Sequence, residues 1–278
     1  MSDLPAGSLR NQSHPGFRTL PDHGWPRSGT GEQTVPFSAR DHSRWNPFYL
    51  WVHDPNNHIK NSKKKLLIKI YDFKYVRCHK CKHVWLENQI SEKEIRKLYK
   101  FSKVDKTSRK RKTYSPLKIY WENLYEKYYK VFKNYSSKNS NLIDIGCGDG
   151  NFIEYLNKKK YFKLHGTELA SSEKNKLRKL LKENFFDKNI EDINFKGRKF
   201  EVITLWGVLE HLTNIDKTFK HITQLMSKKS ILFFLIPNIN SYAFQLLKEK
   251  TPTLVPRDHL NFFSFKSINL LTKRNNLK

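Results

Sequence analysis

The sequence predicts an α/β fold, a parallel sheet with helices on both faces, over residues 113–278. Three observations predict it. Beyond residue 140, apolar runs of strand length alternate with stretches of helical spacing, the pattern of strands joined by crossover helices. The first such run leads into a glycine-rich turn, Ile143-Asp-Ile-Gly-Cys-Gly-Asp-Gly150, and then a helix. The second ends on a carboxylate, Glu168, 22 residues after Gly146.

Residues 1–47 are rich in Gly, Pro, Ser, Arg and His without a sustained period, so burial cannot offset their chain entropy. Residues 1–58 are therefore expected to be a disordered or unrelated extension, with Phe48–Val52 as a short strand within it. Leu66–Tyr71, Lys74–Cys78 and His83–Leu86 predict three short strands. Ser91 and Glu94 form a capping box that opens a helix through Tyr99. Residues 59–112 are thus a small β-rich segment running into a basic linker. Ser115-Pro116 opens the next helix, with proline at its first position, and Leu117, Tyr120, Trp121, Leu124, Tyr128, Val131 and Phe132 carry helical spacing toward Asn134. Strands are predicted at Leu142–Ile145, Lys163–Glu168, Asn184–Phe186, Phe200–Trp206 and Ser230–Ile236. Helices fall near 150–158, 171–182 and 215–226, across Ser241–Glu249, and from Lys266 onward.

The 278 residues are 37% hydrophobic, enough for a core though below the usual apolar share. No run of eighteen apolar residues occurs and no basic-then-apolar leader opens the chain, so a cytoplasmic protein without membrane contact is expected. Three cysteines make no disulfide framework. The net charge of +27 would suit nucleic acid, but its distribution points to lysine-rich composition. Residues 1–59 are neutral, with five arginines against Asp3, Asp22, Glu32, Asp41 and Asp54. The whole excess is scattered over residues 60–278, mostly as lysine rather than the arginine forks that read phosphates and base edges. A small-molecule partner is favoured.

Gly146, Gly148 and Gly150 let the backbone turn and approach a ligand closely. Dinucleotide-binding proteins use a similar loop. Here, however, the spacing is G-x-G-x-G, and Asp144 just before it would repel a pyrophosphate while receiving the ammonium of an amino-acid-like ligand. Glu168 stands where a carboxylate can accept both hydroxyls of a ribose; the plainer alternative is a helix cap.

Leu142–Phe152, Gly166-Thr-Glu168, Asn189-Ile-Glu-Asp192, Phe200–Leu212 and Arg257-Asp-His-Leu-Asn-Phe-Phe-Ser264 together resemble the class I S-adenosylmethionine-dependent methyltransferases. They are most similar to a bacterial group with an N-terminal zinc-knuckle-like segment and a C-terminal His-x-x-Phe-Phe-Ser segment. The resemblance implies a Rossmann-like sheet, an enzyme, and S-adenosyl-L-methionine as cofactor. It implies that Gly146, Cys147 and Gly148, with Gly150 closing the turn, line the methionine part, and that Asp144 faces the ammonium. Glu168 would hold the ribose, Leu169 would pack on the adenine, and Asn189 would face the adenine amino group beside Ile190. Leu205 and Trp206 would wall the pocket.

A sulfonium methyl is a strong electrophile, so alignment and exclusion of water are the protein's main contribution, up to ~7–11 kcal/mol of barrier. For a hydroxyl acceptor a general base adds ~10²–10⁴-fold. His211 and His259 are the candidates, each with the alternative of a helix cap or a backbone partner. Some quinone O-methyltransferases resemble this region with Glu-x-x-Glu-His, a metal-binding pattern; Gly207 at the first Glu position argues against it here.

Cys78-His-Lys-Cys81, followed by Lys82-His83-Val-Trp85, resembles the second knuckle of a small zinc ribbon found before the methyltransferase domain in relatives. A closed structural site needs four ligands. No upstream C-x-x-C occurs, and His53 and His58 have the spacing but not the chemistry. Cys78 and Cys81 are expected to be half a site, without zinc. Relatives also continue past the His-x-x-Phe-Phe-Ser segment into two further strands. A five-stranded sheet lacking them, with an open edge at Ser230–Ile236 and marginal stability, is the expectation. The favoured function is methyl transfer to a small-molecule acceptor such as a sugar or another biosynthetic intermediate. The alternatives are an RNA methyltransferase using the lysine-rich surface and an inactive cofactor-binding fragment. No Asn-Pro-Pro-Tyr-type motif follows the fourth strand, where Leu205-Trp-Gly-Val208 stands.

Overall fold

The computed structural model describes residues 37–38, 63–89, 115–169, 174–256 and 258–277. The strand expected at Phe48–Val52 and the helix expected at Ser91–Tyr99 lie outside them. In chain order, β1 (Phe37–Ser38) is followed by β2 (Lys64–Ile70), β3 (Phe73–Cys78) and β4 (Val84–Leu86). Then come α1 (Ser115–Asn134), β5 (Asn141–Ile145), α2 (Asn151–Lys159), β6 (Lys163–Thr167), α3 (Lys174–Leu181) and β7 (Phe185–Phe186). The chain continues through β8 (Phe200–Trp206), α4 (Ile215–Leu225), β9 (Met226–Leu235), α5 (Tyr242–Leu247), β10 (Asn261–Phe262) and α6 (Phe265–Arg274).

Five strands form the expected parallel sheet, in spatial order β9-β8-β5-β6-β7. The chain builds outward from β5 through β6 to β7, then restarts at β8 on the other side of β5. Between β5 and β8, the helices that follow leave toward opposite faces, so a crevice opens at the carboxyl ends of these strands. The edge of β9 that was expected to stand open instead pairs antiparallel with β1, Phe37 opposite Leu232 and Ser38 opposite Ile231. The pairing satisfies ladder groups that an open edge would present to other chains.

Alternation along the strands sorts the core into two layers. Ile143, Ile145, Ile203, Leu205, Leu232 and Phe234 face one side, with Phe219 and Ile222 of α4 and Ile268 and Leu271 of α6. Leu142, Val202, Ile231 and Phe233 face the other, with Leu124, Tyr128 and Phe132 of α1, Ile153 of α2 and Leu177 of α3. A strand side chain changes face at every residue, so these near-continuous apolar runs serve both layers. Ser264 caps α6 in a capping box with Ser267, and Asn214 caps α4 by accepting from Lys217 N–H.

A second, antiparallel sheet has the order β10-β4-β3-β2. Its fourth strand comes from the C-terminal segment, with Asn261 opposite Trp85 and Phe262 opposite Val84. Tyr75, Val84, Leu86, Phe244, Leu260 and Phe262 share its core. No helix among the described residues is long and apolar enough to cross a membrane.

Candidate active site

β5 ends at Ile145, and the chain turns through Gly146 and Gly148 at φ +72° and +55°, values open to glycine at little cost. A Cβ on Gly146 would meet Val208 Cγ2 at 2.7 Å, so the turn after β8 lies directly against this loop. Around Gly148 no atom stands within 4 Å of where a Cβ would be. That space belongs to the crevice. Gly150, at φ +72°, begins α2 and packs beside Leu177, so its small size serves helix packing.

The loop is pinned from β6. Gly146 N–H donates to Thr167 Oγ1 (3.2 Å), Cys147 N–H to Thr167 O (2.9 Å), and Gly148 N–H to Glu168 Oε2 (2.6 Å). Glu168, buried at the end of β6, is thereby held against the loop, itself outside the cavity lining. Asp144, 1% exposed, accepts from Thr204 Oγ1 at 2.7 Å. Burial pushes its pKa up to about 7, against the Thr204 hydrogen bond, and the nearby Glu168 and Asp149 charges push the same way. Cys147 donates its thiol to Asp144 O (3.2 Å), and burial drives its pKa well above the ordinary value. An inert, packed thiol results.

A cavity of about 660 Å³ opens beside the loop. Asp144, Gly146, Cys147, Gly148 and Trp206 line it. Leu205 does not: it is fully buried in the opposite core layer, because it sits one residue out of phase with Thr204 and Trp206. Ile190 is likewise buried in that layer, while Leu169 and Asn189 are half-buried outside the cavity lining. Sequence reasoning missed the far wall. α1 contributes Trp121 and Tyr125, and the Tyr125 ring stands 5.1 Å from Phe152 and 5.5 Å from Trp206, edge-on to the latter. The helical spacing marked α1 as amphipathic but could not say which aromatics meet the crevice.

His211 and His259 come together, with ring centroids 4.7 Å apart. The 209–211 turn and the 258–261 segment are zipped by Leu260 N–H to Glu210 O (2.7 Å) and Asn261 Nδ2 to Leu212 O (2.6 Å). His211 Nδ1 donates to Asp258 O (2.7 Å) and His259 Nδ1 to Thr253 O (2.5 Å). Carbonyls only accept, so in both neutral rings the lone pair is on Nε2. Burial works against charge on His211, yet Asp258 and the Glu210 carboxylate together hold its pKa above the ordinary value. Burial and then the His211 charge hold His259 below it. Glu210 is buried, its pKa is raised by that burial, and its Oε2 has no hydrogen-bond partner among the described residues. One ring nitrogen from each histidine and one Glu210 oxygen lie within 4.8 Å of one another, a grouping that could hold a metal ion.

Cys78 and Cys81 sit on the tight turn between β3 and β4, where Cys81 N–H donates to Cys78 Sγ (3.4 Å). Burial raises the Cys81 pKa to about 11. Among the described residues, no group of three metal-ligating side chains includes either cysteine.

The model of a family described as a methyltransferase domain matches residues 120–278. The ubiquinone biosynthesis O-methyltransferase of Pelagibacter ubique (strain HTCC1062) is 27% identical over 179 residues, 58% of this chain and 71% of that protein. Among solved structures, the plantazolicin methyltransferase BpumL in complex with SAH is similar at a TM-score of 0.49 and 16% identity, covering 65% of this chain and 72% of that one. An S-adenosylmethionine-dependent methyltransferase from Clostridium acetobutylicum ATCC 824 gives a TM-score of 0.37 at 22% identity, over 45% and 52% of the two chains. With more than half its length inside the family match, the chain belongs to the methyltransferase-domain family and is an S-adenosylmethionine-dependent methyltransferase of class I.

Proposed function

We propose that the enzyme methylates an oxygen of a small-molecule acceptor, with His259 taking the acceptor's proton. One observation carries this: two imidazoles, each with Nδ1 on a backbone carbonyl, and a buried carboxylate converge on the turn that packs against the glycine loop. His259, its pKa held below the ordinary imidazole value, offers Nε2 as base, and the raised pKa of His211 favours its charged form beside Asp258. The relative from Pelagibacter, an O-methyltransferase by name, agrees with an oxygen acceptor. Phenolic biosynthetic intermediates and sugars are the classes to screen.

The residues fit the cofactor. The open space at Gly148 would take its methionine portion, and Asp144 and Glu168 would offer carboxylates to an ammonium and to ribose hydroxyls. Glu168 can keep the Gly148 N–H and still accept from a ribose, since a carboxylate has about four acceptor sites. Trp206, Trp121 and Tyr125 form the wall, with Leu205 supporting it from the core. Leu169 and Asn189 are assigned to the adenine end, with Ile190 in the core behind them. Bound S-adenosylmethionine supplies an electrophilic methyl; the protein's part is to exclude water and accept a proton. Residues 113–278 would be the catalytic domain and the cytoplasm its compartment.

Transfer of labelled methyl to a panel of phenols, catechols and sugars tests this. His259→Gln should lower turnover by ~10²–10³-fold with cofactor affinity unchanged. Turnover that survives His259→Gln would remove the base. Turnover that vanishes on chelation and returns with a divalent cation would make Glu210, His211 and His259 ligands instead.

A further inference from the structure

The β3–β4 hairpin lies wholly outside the family match, which begins at residue 120. Nothing in the methyltransferase chemistry so far uses it. Yet its contacts run to the two catalytic candidates. Tyr75, fully buried on β3, donates its hydroxyl to His259 O at 2.8 Å across 184 residues of sequence. Its ring meets Phe262 edge-on at 5.5 Å, and Phe262 in turn meets the His259 ring edge-on at 6.0 Å. From β4, Leu86 N–H donates to Leu260 O at 2.8 Å.

His83, just before β4, approaches Asn261 Oδ1 with Nε2 at 3.2 Å. Asn261 has its amide nitrogen committed to Leu212 O, so its oxygen accepts and His83 Nε2 carries the hydrogen. Leu212 closes the turn that bears Glu210 and His211. The hairpin thus grips the chain from the His259 carbonyl through Phe262 and reaches the His211 turn through one asparagine.

We propose that this hairpin is part of the acceptor site, with Tyr75 and His83 as positioning residues that set where the His259 and His211 rings stand. The proposal rests on the assignment of His259 as base. Burial alone would require only an apolar side chain at position 75; the hydroxyl aimed at one carbonyl, that of His259, is what a packing role does not need. A phenol on a strand is a rigid strut, with two rotatable bonds and a donor at its tip. Without it, the His259 carbonyl loses its partner and the segment is free to relax toward solvent.

The test reads the imidazoles in the full-length protein. The Cε1–H resonances of His259 and His211, assigned through His259→Gln and His211→Gln, are titrated in wild type, Tyr75→Phe, His83→Gln and His83→Ala. Calorimetry with S-adenosylmethionine runs alongside. Tyr75→Phe should move the His259 midpoint by roughly half a pH unit or more. His83→Ala should move both histidines, and His83→Gln, which keeps a donor toward Asn261, should restore them. Cofactor affinity should stay within about twofold in every variant, because no hairpin residue lines the crevice. Unmoved midpoints in folded Tyr75→Phe and His83→Ala would overturn the proposal. If Tyr75→Phe fails to fold, the two His83 variants decide alone. Failure of the wild type to bind cofactor would count against the functional reading, while the midpoints would still judge the hairpin.

Discussion

At the scale of single residues, Asp144 carries a sharp consequence. Its folded-state pKa of about 7 lies above the unfolded carboxylate value of about 3.9. The folded protein therefore binds the extra proton, and without cofactor its stability should fall as pH rises from about 4 to about 7, then level off. Asp144→Asn should raise the melting temperature of the cofactor-free protein at pH 8 and abolish binding; thermal scans over pH 5–9 check this, and a wild-type curve that rises with pH would contradict it. His259 gives a second pH signature. Its pKa is held below the ordinary 6.5, so the rate should be flat near neutrality and drop only on stronger acidification. A profile still climbing above pH 8 would assign the proton to another group. The two loop glycines separate stability from binding. Gly146→Ala forces a Cβ against Val208 at a left-handed φ, and should cost on the order of 1–3 kcal/mol in denaturant unfolding. Gly148→Ala meets no atom, so its stability cost should be only the roughly 1 kcal/mol of the left-handed backbone, with a larger loss in cofactor affinity.

At the scale of elements, what was legible followed from local periodicity. α1 and β8 have the predicted bounds, and β5 and α2 depart from theirs by no more than a residue. The glycine loop was legible because its residues are contiguous and their conformations are their own. The wall of the cavity was half legible. Strand parity decides between Leu205 and Trp206: Asp144 pairs in register with Thr204, so residues 202, 204 and 206 share the crevice face and Leu205 cannot. That test needs the β5–β8 register, which a single strand does not reveal. β10 was illegible for a different reason. Two residues carry no period, and their partner strand lies far back in the chain at β4. Trp121 reads as an ordinary member of an apolar stripe and Tyr125 falls outside that stripe, and only the packing of α1 over the loop makes them a wall. Tyr125→Ala should accordingly weaken cofactor binding more than its loss of packing lowers stability, an order checked by calorimetry and melting on the same variant.

At the scale of the whole molecule, the two sheets divide the labour. The parallel sheet, split between β5 and β8, carries the crevice at its carboxyl ends, and the small sheet holds the segment that brings His259 to His211. The central claim is that the cofactor sits against Gly148 between Asp144 and Glu168. Calorimetric titration of S-adenosylmethionine into wild type and Glu168→Ala tests it most directly. One cofactor per chain, bound at least tenfold more weakly after the substitution, is the predicted result. No binding at millimolar ligand, or binding indifferent to Glu168→Ala, would contradict it.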